Sequence, residues 1–99
     1  MLNISKKENG TELTIELEGR LDTVTSPSLE SELQQSLDGT EMLIFDMAQL
    51  QYISSAGLRV LLTAQKAMNR QGTMIVRNAS DDVKEIFDVT GFSDILTIE

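Results

Sequence analysis

Two short, uninterrupted apolar runs frame the middle of this chain: Met42, Leu43, Ile44 and Phe45, and later Met74, Ile75 and Val76. Between them, residues 56–70 carry Leu58, Leu61, Leu62 and Met68 at i, i+3, i+4 and i+10, while Arg59, Lys66 and Asn69 fall mostly elsewhere. That spacing predicts a helix with one buried stripe. Apolar runs without alternation are expected of strands covered on both faces. Strand, helix and strand in succession need a crossover, and its right-handed form makes the two strands parallel members of one sheet. The centre of the sequence therefore commits the chain to an α/β layer fold.

The flanks extend the same pattern. Residues 2–6 read as a first strand, and Asn9 and Gly10 as a turn signal. Residues 11–18 alternate, with Leu13, Ile15 and Leu17 facing one way and Thr14, Glu16 and Glu18 the other, the mark of a half-buried strand paired antiparallel with the first. Ser26 before Pro27 predicts a helix start, with Ser26 as N-cap, Pro27 at the first helical position and Glu30 and Glu32 in or near the first turn. Leu29, Leu33 and Leu37 give that helix its stripe, and Asp38 and Gly39 end it. Gln71 and Gly72 close the central helix. A third helix opens at Ser80, Asp81 and Asp82, turns Val83, Ile86 and Phe87 inward and stops near Gly91; residues 95–98 have room for a last short strand. The order ββαβαβα implies a mixed, largely parallel sheet of about four or five strands packed with about three or four helices, in one domain spanning residues 1–99.

Composition narrows the chemistry. The sequence has no Cys and no His, which removes thiol catalysis, disulfides, the usual zinc sites and imidazole acid–base chemistry. Its carboxylates are scattered, so no metal or other cofactor is expected. A net charge of −8 opposes phosphate backbones and anionic lipid, and four aromatic residues offer no platform for stacking bases. The first residues lack the apolar core of a signal peptide, and no apolar stretch approaches a membrane span. The expectation is a cytoplasmic protein with no membrane anchor and no direct nucleic-acid contact, whose partners are proteins with basic or mixed surfaces.

The informative segment is residues 46–58. A strand ends at Asp46, a short loop follows, and Ser54 and Ser55 open an apolar helix. Ser54 can cap that helix, Ser55 then lies in its first turn, and Gly57, without a side chain, would let another backbone or a partner approach closely. A phosphoserine in a first turn is favoured by the helix dipole and free amides, yet it adds about −1.5 to −2 charge to a nearly neutral surface. Such a group can abolish an interface without unfolding the domain. An ordinary serine cap with small neighbours has the same sequence appearance, and the residues alone leave both readings open.

The run Ile53-Ser54-Ser55-Ala56-Gly57-Leu58 resembles the signature of STAS-domain anti-sigma factor antagonists. Gly19-Arg20-Leu21-Asp22 resembles that family's other recurring element, and Asp88-Val89-Thr90-Gly91-Phe92 its usual end. The resemblance covers essentially the whole chain and implies a STAS-like fold, a single sheet layer packed with helices. It implies a non-enzymatic regulator whose unphosphorylated form binds an anti-sigma factor with serine kinase activity and so releases a sigma factor. The partner then phosphorylates the acceptor serine, and a serine phosphatase resets the switch. Ser55 matches the acceptor, Ala56 the small residue after it and Gly57 the glycine, while Ser54 stands where the family often has Asp. Asp22 matches the acidic residue near the partner surface, so Asp22, Ser54, Ser55, Ala56 and Gly57 are the implied contact residues. On local chemistry alone, Asp22 is equally a turn residue, Asp46 ties down the loop after its strand, and Tyr52 and Ile53 are packing residues. The ATP site is assigned to the partner, since no Gly-x-x-x-x-Gly-Lys loop occurs here. The alternative with the same fold is a stand-alone STAS subunit of a lipid-transport ABC complex, or of another signalling assembly, without a phosphoserine. An enzyme is disfavoured: Lys66 lies about three helical turns from Ser55, too far to activate it.

Overall fold

In a computed structural model covering residues 1–99, β1 (Leu2–Asn9) and β2 (Glu12–Leu21) form an antiparallel hairpin, with Asn9 opposite Glu12 at its turn. β3 (Met42–Ile53) lies parallel to β2, and β4 (Thr73–Arg77) parallel to β3, giving the sheet order β1-β2-β3-β4. The crossovers contain α1 (Ser26–Ser36) and α2 (Ser55–Gln71); α3 (Asp81–Thr90) and a 3-10 turn, Phe92–Asp94, follow β4. This is the mixed, largely parallel α/β arrangement expected, with four strands and three α-helices.

Alternation decides which face of the sheet the helices cover. Leu13, Ile15 and Leu17 of β2 join Leu43, Phe45 and Met47 of β3 and Met74 and Val76 of β4 in one buried cluster. Leu29 and Leu33 of α1, Leu58, Leu61 and Met68 of α2, and Val83 and Phe87 of α3 complete it. All three helices therefore share one face. Leu43, Ile44 and Phe45 are all buried, as the apolar run predicts for a strand covered on both faces, but the two faces are closed by different means. Leu43 and Phe45 enter the core, whereas Ile44 turns to the opposite face, between its register neighbours Thr14 and Ile75, and belongs to no core cluster.

β3 also continues past Asp46, where a loop was expected, as far as Ile53. While β2 advances from Glu16 to Glu18, β3 advances from Asp46 to Gln49; while β2 advances from Gly19 to Arg20, β3 goes from Leu50 to Tyr52. Each step inserts one extra residue, a bulge. The buried positions of this half-strand consequently fall at Met47, Leu50 and Ile53. Asp46 fastens the first bulge: its Oδ1 accepts from the Ala48 N–H at 3.0 Å and from Asn78 Nδ2 at 3.2 Å.

Helix ends follow local hydrogen bonding. α1 starts at Ser26, with Thr25 in the cap position and no acidic residue in the first turn. Ser26 is not the cap because its N–H and its hydroxyl both donate to the Asp22 carbonyl, at 2.8 and 2.5 Å. In α3, Ser80 Oγ accepts from the Val83 N–H at 3.2 Å, Asp81 and Asp82 occupy the first turn, and Gly91 ends the helix at φ +81°. The last strand expected at residues 95–98 reduces to one parallel bridge. There Val76 N–H donates to Thr97 O and Glu99 N–H to Val76 O, at 2.8 and 2.9 Å. β1 forms the other edge; Lys6, opposite Ile15 and so on the core side of the sheet, reaches Glu32 of α1 at 2.7 Å.

Candidate functional site

The ends of β2 and β3, the turn after β2 and the first turn of α2 meet at one end of the sheet. Ser54 is extended, at φ −97° and ψ 175°, and leads into α2 as its N-cap. Its N–H donates to the Leu21 carbonyl at 2.9 Å, which fixes the helix start to the end of β2. Its hydroxyl accepts from the Gly57 N–H at 3.4 Å, and its carbonyl from the Leu58 N–H at 2.9 Å. Ser55 is the first helical residue and is exposed. The N–H groups of Ser55 and Ala56 have no acceptor within the helix, as befits a helix start. Two adjacent serines thus have different duties: the Ser54 hydroxyl is committed to the cap, and that of Ser55 points into solvent with no side-chain base bonded to it.

Gly57 is buried. A Cβ there would lie 2.7 Å from Leu21 Cγ and 2.9 Å from Ile53 Cγ1. Its missing side chain therefore lets α2 sit closely on the ends of β2 and β3. Of the two approaches left open at Gly57, another backbone or a partner, the structure shows neither in close contact: the near atoms are the protein's own Leu21 and Ile53 side chains, and Gly57 itself is buried.

Asp22 organises the turn between β2 and α1. Its Oδ1 accepts from the N–H groups of Val24 and Thr25, at 3.0 and 3.1 Å. The Thr25 hydroxyl accepts from the Asp22 N–H at 2.9 Å and donates to the Arg20 carbonyl at 2.8 Å. The Thr25 N–H, foremost, holds the Asp22 carboxyl below its ordinary pKa; the Thr25 hydroxyl, the Val24 N–H and the Arg20 charge act in the same direction, and desolvation opposes them. Arg20 Nε stands 3.8 Å from Asp22 Oδ2, while its guanidinium carbon lies 4.4 Å from the Tyr52 ring centroid. Ile53 is packed, at 1% exposed, whereas Tyr52 is 37% exposed and stacks with Arg20. The second β3 bulge puts Tyr52 opposite Arg20, and no alternation in the sequence announces it.

The Asp22 turn and the first turn of α2 share a surface. Thr23 and Pro27 on one side and Ala56 and Arg59 on the other line a shallow groove. Among the residues singled out from sequence, Asp22, Ser54, Ser55 and Ala56 are brought to this end, with Gly57 beneath them. Val24, in the turn after Asp22, is 85% exposed. No group of three or more His, Cys, Asp or Glu side chains is arranged to hold a metal ion, and no helix is long and apolar enough to cross a membrane. With no side-chain base bonded to it, the Ser55 hydroxyl is unsuited to acting as a nucleophile by itself.

Known proteins resemble this chain in sequence and in fold. BtrV of Bordetella bronchiseptica is 34% identical over 84 residues, covering 83% of this chain and 72% of that protein. The anti-sigma-B factor antagonist of Listeria monocytogenes is 31% identical over 102 residues, covering 99% of this chain and 89% of its own. The anti-sigma factor antagonist SpoIIAA in its unphosphorylated form shares the fold with a TM-score of 0.78 at 16% identity, over 98% of this chain and 87% of that one. The phosphorylated form of SpoIIAA, from Bacillus, gives 0.77 at 16% identity, over 98% and 91%. The STAS domain family matches residues 3–99, and with that span and these relatives the chain belongs to the STAS domain family.

Proposed function

We propose that this protein is a cytoplasmic anti-sigma factor antagonist that works by partner switching. Unphosphorylated, it binds an anti-sigma factor with serine kinase activity and so frees a sigma factor; phosphorylation of Ser55 by that kinase ends the complex, and a serine phosphatase restores it. The observation that carries this reading is the division of labour between the two serines, Ser54 spent on the cap and Ser55 exposed at the first helical position. A phosphate on Ser55 meets the open N–H groups and positive end of α2, so the domain tolerates it. The partner, by contrast, meets about −1.5 to −2 of new charge. SpoIIAA, which shares this fold, has both an unphosphorylated and a phosphorylated form, which supports a phospho-switch on this scaffold. The kinase partner supplies ATP and the base that deprotonates Ser55, and this chain acts as a binding module.

Intact mass after incubation with the cognate kinase and ATP tests the assignment. Wild type and Ser54→Ala are expected to gain one phosphate and Ser55→Ala none, while Ser55→Ala keeps its partner bound. Phosphate on Ser55→Ala as readily as on wild type moves the acceptor elsewhere.

A further inference from the structure

α2 carries Arg59, Lys66 and Arg70 and not one Asp or Glu, in a chain whose net charge is −8. The three cations are exposed, and steps of four, seven and four residues from Ser55 keep Ser55 and all three on one face of the helix. Thr63, also exposed, fills the gap in the row. At about 1.5 Å per residue the row runs roughly 22 Å from the phosphate acceptor to the far end of α2. None of the four salt bridges in the protein involves α2: Lys6, Lys7, Arg20 and Arg77 are paired within the chain. Apart from Lys84, the side-chain cations left unpaired are these three.

We propose that this face of α2, from Ser55 to Arg70, is a docking ridge for an acidic protein surface. Resting on the function proposed above, its occupant is a carboxylate-rich patch on the anti-sigma kinase. Charge complementarity selects that class of partner. A membrane or a nucleic acid spreads its negative charge widely and would meet the strongly acidic remainder of the chain together with the ridge. A folded protein can set a few carboxylates against α2 alone. The position of Ser55 at the head of the ridge then explains how one phosphate acts. Ser55 and Arg59 are i,i+4 neighbours, so the phosphate pairs with Arg59 and withdraws it from the partner, and its excess negative charge faces the partner's carboxylates. The modification inverts the sign of the ridge where docking begins, which slows association as well as weakening the complex.

The test measures association of the purified anti-sigma kinase with immobilised wild type, with the triple variant Arg59→Gln, Lys66→Gln, Arg70→Gln, and with the corresponding triple Glu variant, from low to high salt. Thermal melting of each protein monitors folding. The Gln series is expected to lower the on-rate about tenfold at low salt, and the Glu series more, with the salt dependence of wild type flattened and melting preserved. Equal on-rates for all three, with wild type binding normally, overturn the ridge and leave the switch reading standing. Failure of wild type itself to bind the kinase overturns the proposed function and this partner with it. Capture of wild type, and not of the Glu variant, by phosphatidylserine vesicles or by single-stranded RNA also overturns the ridge as a protein-docking surface.

Discussion

Adding one methyl group at Gly57 probes how tightly the helix that bears Ser55 is seated. In Gly57→Ala the new Cβ would stand 2.7 Å from Leu21 Cγ, 2.9 Å from Ile53 Cγ1 and 3.0 Å from Leu21 Cδ2. Leu21 is 0% and Ile53 1% exposed, and two of the three contacts are mid-chain atoms, so neither side chain can swing away into solvent. Relieving such an overlap costs about 1–3 kcal/mol. Ala is the better helix former by about 0.5–1 kcal/mol, which offsets part of this. The net expectation is a loss of about 1 kcal/mol at mid-range, read by urea unfolding, with a fall in melting temperature of about 4–8 °C for each kcal/mol lost. The helix start is tied to β2 through the bond from Ser54 N–H to Leu21 O, so relief by tilting α2 also strains that bond. A Gly57→Ala protein as stable as wild type, or more stable, would refute the claim that close packing excludes a side chain here.

Further expectations concern charge and core. Ser55→Asp should weaken kinase binding at least tenfold, about 1.4 kcal/mol, while melting stays close to wild type because a carboxylate suits a first turn; binding and folding lost together would make Ser55 a structural residue. The depressed pKa of Asp22 means that its ionised form contributes stability above its unfolded pKa, and that this contribution is lost as pH falls through the folded value. The melting temperatures of wild type and Asp22→Asn should therefore converge in acid and separate above about pH 4, and a constant gap across the pH range counts against the turn described. Leu61→Ala, at a fully buried core position, should cost about 2–5 kcal/mol in urea unfolding. Ile44→Ala, outside the core cluster, should cost about 1–2 kcal/mol, and equal losses would show that the open sheet face is packed like the core.

The element order and most inward residues of β2 and the helices were legible, because their apolar residues repeat with the period of their own structure. Leu62, expected in the α2 stripe, is only half-buried and lies outside the core cluster, which takes Val60 and Ala64 instead. The second half of β3 was not, since two bulges turn a period of two into buried residues at Met47, Leu50 and Ile53, a spacing no strand rule recognises. The start of α1 was misassigned for a related reason. Ser26 has the right type for a cap, but the Asp22 carbonyl, held in place by the turn, takes both of its donors. At the site, Ser54 as cap and Ser55 in the first turn followed from the helix signal alone. Asp22 was ambiguous until the bonds from Val24 and Thr25 identified it as a turn organiser. Gly57 was legible as a close approach but not as to what approaches, because that depends on where Leu21 ends up. The run at residues 42–45 announced burial correctly, Ile44 being 5% exposed, but not that Ile44 lies outside the helix-covered core cluster.

The two flanks of the sheet bear on how this protein behaves in a crowded solution. An open strand edge is a template for another chain, and a small sheet with two such edges is at risk of growing into stacks. On the β4 side the tail already occupies the N–H and C=O of Val76, interrupting the row that an incoming strand would need. On the β1 side no such cover exists, but Lys6 points to the core side of the sheet and is held there by Glu32 at 2.7 Å. A strand added beside β1 would have to bring its own core-facing side chain against that ion pair, stripping water from two charges that gain nothing in return. One lysine, placed where the hydrophobic pattern of β1 calls for an apolar residue, thus gives up a little core at the rim and keeps the sheet at four strands.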